Sequence, residues 1–103
     1  MAKPIFTIHD LSSSIRLVTF EIPGGVTSPD EFAEGVSLIA SDLPGSLPVF
    51  LNGRGPVWGY GMLIHAAHPT PAVAVFDPRI GYVVVATHCE QFHVGQLIPD
   101  PEA

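Results

Sequence analysis

Apolar and polar residues alternate along the first part of the chain, and this two-residue period predicts a β-hairpin. PIFTIHD and SIRLVTFEI have the pattern of its two strands, and the serines of LSSS between them form the turn. In the second strand we expect Leu17 on one face of the sheet, with Val18 and Phe20 on the other.

A helix is predicted after the hairpin, because SPDE is a helix-start signal. Ser28 is a favourable N-cap, Pro29 suits the first helical position, and Glu31 completes a capping box. The apolar residues that follow recur at the spacing of one helix face: Phe32, Val36 and Ile39. We expect this amphipathic helix to end near the LPG at 43–45.

The rest of the chain alternates apolar strands with a second helix. The expected elements are an interior strand LPVFLN, a helix from GRGP to about His68, a strand AVAVF, a tight turn DPRIG, a returning strand GYVVVATH and a short edge strand HVGQLI. Gly55 or its neighbour is the expected helix cap, with Pro56 at the helix start. This order predicts one α/β domain over residues 1–103: a mixed sheet with right-handed, Rossmann-like parallel crossovers and antiparallel hairpins at its margins.

Composition excludes several classes of protein. With 47% apolar and 14% charged residues, the chain is too hydrophobic to be intrinsically disordered. No apolar run reaches the roughly 18 residues that span a bilayer, and the N-terminus lacks the layout of a signal peptide. The single cysteine, Cys89, cannot form an internal disulfide and fits a reducing cytoplasm. Low charge with high hydrophobicity also predicts that a partner subunit covers some apolar surface.

Charge is unevenly distributed along the chain. The net charge of −6 argues against general nucleic-acid binding. Segment 47–88, however, contains Arg54 and Arg79 against a single acid, Asp77. The histidines of this segment are His65, His68 and His88. The middle of the chain is therefore a locally positive, titratable region in an acidic protein.

The loop NGRGP has features of a phosphate-binding turn. Its glycines let the backbone approach a ligand closely, and the free N–H groups of the helix start favour an anion. Asn52 and Arg54 add donors, and an arginine can hold a phosphate by two parallel hydrogen bonds. The alternative is a structural turn that uses glycine for geometry alone.

Two further groups in this segment have catalytic or structural interpretations. His65 and His68 lie on one helix face, where with a carboxylate they can bind a divalent metal, or one of them can act as general acid or base. Alternatively, His68 only complements the helix dipole. Asp77 ends a strand, where ligand groups collect in open sheets, but with Arg79 it can equally form a turn that satisfies its own backbone.

The length of the second helix separates these groups. From Gly55 to His68 the helix spans about 20 Å, so one phosphate cannot reach both ends of it in one chain. Either the ligand is long or ring-shaped, or the binding and the cutting surfaces come from different subunits.

The motifs resemble those of a known family. NGRGPVW and HAAHPTPAVAVFDPRIGYVVVATH are similar to the small Csx3/Crn3-type ring nucleases, a CRISPR-associated family of type III systems. That family carries a GRGPIW-type loop, a helical pair of histidines, a TPxVAVxDPRxG hairpin and a histidine ending the next strand. All recur here at matching spacing, whereas residues 1–46 match only in element order. The chain departs from the pattern at Pro69, where another histidine can occur, and at Gly59 and Gly61, which replace bulkier residues.

The resemblance implies a fold related to the CRISPR-associated Rossmann-fold (CARF) sensor domains. It also implies a homodimer that pairs further around its ligand into a tetramer or larger assembly. The implied activity is a manganese-dependent phosphodiesterase that cleaves cyclic tetra-adenylate to linear products and so switches off type III CRISPR signalling. Attack by a ribose 2′-OH and attack by a metal-bound water both fit. The alternatives are a non-catalytic sensor of cyclic oligoadenylate and a manganese-dependent exonuclease that removes adenylates from RNA 3′ ends.

The resemblance also assigns roles to residues. The implied catalytic residues are His68, Asp77 and His65, and the same three are the expected ligands of Mn²⁺ or another divalent cation. The residues expected to hold or line the phosphate ring are Asn52, Gly53, Arg54, Arg79 and His88. A ring of about four negative charges suits the acid-poor segment, and its symmetry suits an isologous dimer. No membrane or DNA partner is expected.

Overall fold

The computed structural model describes residues 2–101 and contains a six-stranded sheet and two α-helices. The strands are β1 (Ile5–Asp10), β2 (Arg16–Glu21), β3 (Val49–Gly53), β4 (Ala72–Asp77), β5 (Gly81–Thr87) and β6 (Leu97–Ile98). The helices are α1 (Pro29–Ile39) and α2 (Val57–Ala67). The strands lie in the sheet in the same order as in the chain.

The sheet has a parallel centre and antiparallel margins. β2, β3 and β4 are parallel, while β1 pairs antiparallel with β2, β5 with β4, and β6 with β5. Parallel crossovers are right-handed as a rule, and two that step in the same direction put both helices on one face of the sheet. Phe32 of α1 and Leu63 of α2 accordingly share one buried cluster with Val18 and Val73. The predicted α/β fold, with β3 in its interior, is confirmed.

The strand directions define two edges that matter for function. We call the carboxyl edge the one at which the parallel strands end, at Glu21, Gly53 and Asp77. The amino edge is the opposite one, where they begin, at Arg16, Val49 and Ala72. β5 runs the other way, so Thr87 pairs with Ala72 at the amino edge. α2 connects β3 to the parallel β4, so it runs from the carboxyl edge back to the amino edge.

The capping prediction for α1 is confirmed, but its end differs. The Ser28 hydroxyl accepts a hydrogen bond from the Glu31 N–H at 3.2 Å and donates to the Glu31 carboxylate at 3.0 Å. The α-helix ends at Ile39, before the predicted LPG. A tighter 3₁₀ turn at Ala40–Asp42 follows and carries Leu43 into the core, where it is fully buried.

The start of α2 also differs slightly from the prediction. Pro56 has an extended backbone (φ −70°, ψ 157°) and is the N-cap, so the first helical residue is Val57. The helix ends at Ala67, with His68 as its C-cap. Thr70, which is buried, donates its hydroxyl to the carbonyl oxygens of Ala67 and Ala72 and so fixes the turn into β4.

An aromatic cluster fills the space between the sheet and the two helices. The ring of Phe20 lies 5.7 Å from Phe6, 5.7 Å from Phe32 and 5.5 Å from Tyr60, measured between centroids. Phe32 in turn contacts Trp58 edge to face at 5.9 Å. Each such pair contributes roughly 0.5–1.5 kcal/mol beyond the area that it buries. The cluster therefore joins β1, β2, α1 and α2 at one end of the core.

The glycines of the β3–α2 loop serve this cluster. A Cβ on Gly53 would lie 2.5 Å from the Phe20 carbonyl oxygen, and one on Gly55 would lie 2.7 Å from the Phe20 ring. Neither glycine has a positive φ. These glycines let Phe20 approach, as in the structural-turn alternative, and the approach of a ligand stays a prediction.

The face of the sheet away from the helices has a smaller core. Its buried residues are Leu17, Phe50, Ala74, Tyr82 and Val84. They are covered by side chains from the β1–β2 turn and from the segment after β5, including Phe92 and Ile98. In β2, Leu17 thus lies on this face and Val18 with Phe20 on the helix face, as the alternation predicted. Within residues 2–101, no helix has both the length and the hydrophobicity to cross a bilayer.

Two glycines in α2 offer a matched test of this packing. Gly61→Ala should raise the free energy of unfolding by up to about 1 kcal/mol, because alanine favours the helix and nothing lies within 4 Å of its new methyl group. Gly59→Ala gains the same stabilisation from the helix preference of alanine, but its methyl group would lie 2.8 Å from the Phe32 ring. Overpacking of this kind costs about 1–3 kcal/mol, so Gly59→Ala should be the less stable variant by that amount. Urea denaturation of both variants measures the difference, and equal stabilities would contradict the packing described.

Candidate functional site

The chemically active residues of segment 47–88 lie at two opposite edges of the sheet. Asn52, Gly53 and Arg54 follow or end β3, and Asp77 ends β4, so these residues are at the carboxyl edge together with Arg79. The histidines at the end of α2 and after β5 lie at the amino edge: His65, His68 and His88. The six residues of β4 span about 16 Å between the two edges.

This placement corrects two groupings expected from the sequence. His65, His68 and Asp77 do not form one ligand set within a single chain, because Asp77 is at the far end of β4. Among residues 2–101, no group of three or more histidine, cysteine or acidic side chains is arranged to hold a metal. For the same reason, Arg79 and His88 of one chain lie at opposite edges of the sheet.

At the carboxyl edge, two of the expected phosphate ligands are already engaged. The Gly53 N–H donates to the Tyr60 hydroxyl at 3.0 Å, and that hydroxyl donates to the Gly53 carbonyl oxygen at 2.7 Å. Burial raises the pKa of Tyr60, so this hydroxyl stays protonated and keeps both bonds. The Asn52 side chain donates to the Tyr82 hydroxyl at 3.0 Å, on the face away from the helices. The N–H of Gly53 and the side-chain amide of Asn52 therefore each have an internal partner, and their expected contact with phosphate stays a prediction.

Arg54 is the remaining donor of the loop, and it is available. Its side chain is exposed and has no hydrogen bond or ion pair within the described part of the chain. The other three cations are paired: Lys3 with Glu34 at 2.9 Å, Arg16 with Asp10 at 2.8 Å and Arg79 with Asp77 at 3.0 Å. The start of α2, next to Arg54, also favours an anion. Arg54 is thus the one cation of residues 2–101 that can pair with an external anion without losing an internal partner.

Asp77 and Arg79 form a self-contained turn at the same edge. The Asp77 carboxylate accepts from the Arg79 N–H at 2.9 Å, from its Nε at 3.2 Å and from its Nη2 at 3.0 Å. These hydrogen bonds from Arg79 hold the pKa of Asp77 below its ordinary value. The geometry is therefore that of the alternative considered from the sequence, in which Asp77 and Arg79 form a turn that satisfies its own backbone. The Arg79 side chain is still 85% exposed, which leaves its outer N–H groups free to contact a ligand.

At the amino edge, His68 and His88 form a pair. The His88 Nε2 lies 3.1 Å from both the His68 Nδ1 and the His68 carbonyl oxygen. A carbonyl oxygen only accepts, so His88 Nε2 is the donor, and the lone pair of His68 Nδ1 is a second acceptor for the same N–H. The backbone also holds the pair, since the His88 N–H donates to the Pro71 carbonyl oxygen at 2.8 Å. His65, one turn earlier, is exposed, and its ring has no hydrogen bond in the described structure.

The sequence did not reveal this pairing, for a specific structural reason. A β-bulge shifts the β4–β5 register between Val73 and Ala74, so that Val85 has no direct partner. The shift decides which residues of β5 reach the amino edge. The sequence gives one indication of the pairing: His68 comes shortly before β4 and His88 directly after β5, so the hairpin brings them to the same edge.

The fit of a divalent cation to these residues is partial. One chain supplies two imidazoles at the amino edge, and imidazole nitrogens are ligands of several divalent transition metals. Within residues 2–101, no carboxylate joins them in a metal-binding group, although manganese favours carboxylate, carbonyl and water oxygens. A cation held at His68 and His88 would need oxygen ligands from substrate, solvent or a second chain.

Comparison with known proteins places the chain in a family. Residues 28–99, well over half of the chain, match the family described as CRISPR-associated protein (Cas_csx3). The chain therefore belongs to this CRISPR-associated family. The matched range contains β3, α2, β4 and β5, and hence every candidate residue at both edges.

One relative is similar over a shorter range. An uncharacterized protein of Aquifex aeolicus (strain VF5) is 53% identical over 51 residues, which is 48% of this chain and 46% of the relative. The chain thus spans about half the length of that relative.

The Asp77–Arg79 turn can be tested by titration. Arg79→Ala removes the hydrogen bonds that favour the carboxylate, so the pKa of Asp77 should rise toward its ordinary value. Carboxyl chemical shifts followed against pH by NMR measure this change. Arg16→Ala is the matched control, because it removes the partner of Asp10 and should raise the pKa of Asp10 while that of Asp77 stays low. An unchanged Asp77 titration in Arg79→Ala would show that the turn is not formed in solution.

Proposed function

We propose that this protein is a ring nuclease: a metal-dependent phosphodiesterase that opens cyclic tetra-adenylate and so ends type III CRISPR signalling. The family assignment supports a CRISPR-associated role. The observation that carries the proposal is the separation of two reactive groups within the matched segment. An unpaired arginine lies at the carboxyl edge, and a histidine pair lies at the amino edge.

Binding would take place at the carboxyl edge. Arg54 offers a guanidinium with no internal partner, and the exposed side of Arg79 lies at the same edge. Guanidinium groups bind phosphate oxygens by paired, charge-assisted hydrogen bonds. In a chain of net charge −6, these two groups provide the attraction for a ring of phosphates at this edge.

Cleavage would take place at the amino edge of a second copy. His68 acts as the general base that takes the proton of the attacking oxygen, which is a ribose 2′-hydroxyl or a water molecule. The new oxygen–phosphorus bond forms as the bond to the 5′-oxygen breaks, and that oxygen receives the proton that His68 removed, directly or through solvent. His88 holds the His68 ring through the contact at 3.1 Å. A divalent cation at this pair would neutralise charge that develops on the phosphate oxygens.

Two copies are required because the edges of one chain lie too far apart to act on the same phosphate. Within an assembly, the carboxyl edge of one copy and the amino edge of another can face the same ligand. Asp77 of the first copy would then come near His68 of the second, which restores the role that Asp77 cannot have within one chain. Exposed apolar side chains on both helices, including Leu38 (71% exposed) and Val57 (85%), support contact between copies.

Binding without cleavage is the second candidate function. It is favoured by the absence, among residues 2–101, of a metal-ligand group of three or more side chains within one chain. Removal of adenylates from RNA 3′ ends is a third outcome, which a competition between RNA and the cyclic nucleotide would reveal.

Product analysis tests the enzymatic proposal. Incubation with cyclic tetra-adenylate and Mn²⁺ should give linear products, and their mass distinguishes a terminal 2′,3′-cyclic phosphate, left by 2′-hydroxyl attack, from hydrolysis. His68→Ala should slow cleavage by about 10²–10⁴-fold, as expected when a general base is lost. His93→Ala, an exposed histidine in the β5–β6 connection, is the control and should cleave like the wild type. Binding with no products under any divalent metal would favour the sensor instead.

A mixing experiment tests whether the two edges act across copies. Arg54→Ala and His68→Ala should each be inactive alone, because each lacks one of the two surfaces. In an equal mixture, an interface between an intact carboxyl edge and an intact amino edge occurs at random in about one quarter of contacts, so activity should recover to about that fraction. No recovery, with both variants still assembling, would mean that a single chain performs both steps.

A further inference from the structure

A pocket of about 730 Å³ opens at the carboxyl edge, beside Arg54. It lies between the segment that follows β2 and the start of α2. Its apolar walls include Phe20, Ile22, Val26, Pro56 and Trp58. Pockets for small ligands typically have volumes of about 300–1,000 Å³ and mostly apolar walls. The size and lining therefore suit a flat, uncharged group such as a nucleobase.

Trp58 gives the pocket an aromatic wall in a fixed position. Its ring contacts Phe32 edge to face at 5.9 Å with an interplanar angle of 86°, which holds it in place. Trp58 is nevertheless 39% exposed, and it lines the pocket. Purine and pyrimidine bases stack on such rings because every base has an aromatic face.

The charges at the pocket orient a nucleotide. Arg54, which has no internal partner, lies at its wall and can bind a phosphate. Glu21 also lines it, and its carboxylate repels a phosphate but can accept a hydrogen bond from an exocyclic amino group. A nucleotide should therefore place its phosphate against Arg54 and its base inside the pocket, toward Glu21 and Trp58.

We propose that this pocket is a subsite for one adenine base of the nucleotide whose phosphate Arg54 binds. The inference rests on the proposed function, since it names how the same edge recognises the base. Trp58 stacks on the base, and Glu21 favours a base that carries an amino group. Recognition at this edge is then more than attraction of phosphate charge.

The sole tryptophan of the chain is the reporter for this subsite. Titration with AMP should change the Trp58 fluorescence saturably, and so should cyclic tetra-adenylate. UMP, which lacks the amino group and has the smaller ring, should bind about tenfold more weakly. Inorganic phosphate alone should leave the fluorescence nearly unchanged, because it would occupy Arg54 without contact to the indole. No change with either adenine compound would overturn the proposal.

A carboxylate added to the pocket provides the matched variant. Val26→Glu, at a position that is 55% exposed, should fold normally and weaken AMP binding about tenfold by repulsion and loss of apolar contact. Val94→Glu makes the same change at a 64% exposed position that does not line the pocket, and should bind AMP like the wild type. Equal affinity in the two variants would place the base elsewhere.

The failures of this inference and of the proposed function are distinguishable. Linear products from cyclic tetra-adenylate, with unchanged Trp58 fluorescence and no effect of Val26→Glu, would overturn the base subsite and leave the nuclease standing. Saturable quenching by AMP that Val26→Glu weakens, without any cleavage of the cyclic compound, would support the subsite and reject the nuclease.

Discussion

The contact between Phe20 and the β3–α2 loop determines the shape of the carboxyl edge. The ring of Phe20 occupies the space that side chains on Gly53 and Gly55 would need, with clearances of 2.6 and 2.7 Å from the missing Cβ positions. Tyr60 also packs on Phe20. Its hydroxyl accepts a hydrogen bond from the Gly53 N–H and donates one to the Gly53 carbonyl oxygen, which fixes the loop. The loop is thereby held against the core by its small residues, and the side chain of Arg54, between the two glycines, is directed to solvent.

The one-sided placement of the helices follows from the strand order and decides what each edge can do. Both crossovers lie over the same face of the sheet, so each helix runs from the carboxyl edge back to the amino edge. α2 begins beside Arg54 and ends beside the His68–His88 pair. One helix thus joins the two chemically distinct edges and keeps them apart by its own length. The separation is a property of the fold and cannot be closed by rotating side chains.

Local signals in the sequence predicted most of the architecture, because they act over a few residues. The alternation in β2 and the capping box at Ser28 depend on neighbours, and both are found as expected. The features that were not predicted depend on distant partners. The role of Gly53 requires knowledge of Phe20 on another strand, and the pairing of His68 with His88 depends on a bulge between β4 and β5. The Asp77–Arg79 turn was among the alternatives. The sequence could not choose between this turn and a free carboxylate, because the choice depends on the position of the Arg79 side chain.

The distribution of free and paired cations explains how such edges would meet. Contact between like edges of two copies would put arginines together at one interface and histidine pairs together at another. Contact between unlike edges puts an unpaired Arg54 and a His68–His88 pair at every interface, which is the combination that our proposal requires. On our proposal, a polyanion would pair with the unneutralised guanidinium at the carboxyl edge of one copy and present phosphates to the next. On the same proposal, the ligand would be both the substrate and part of the contact between the two copies.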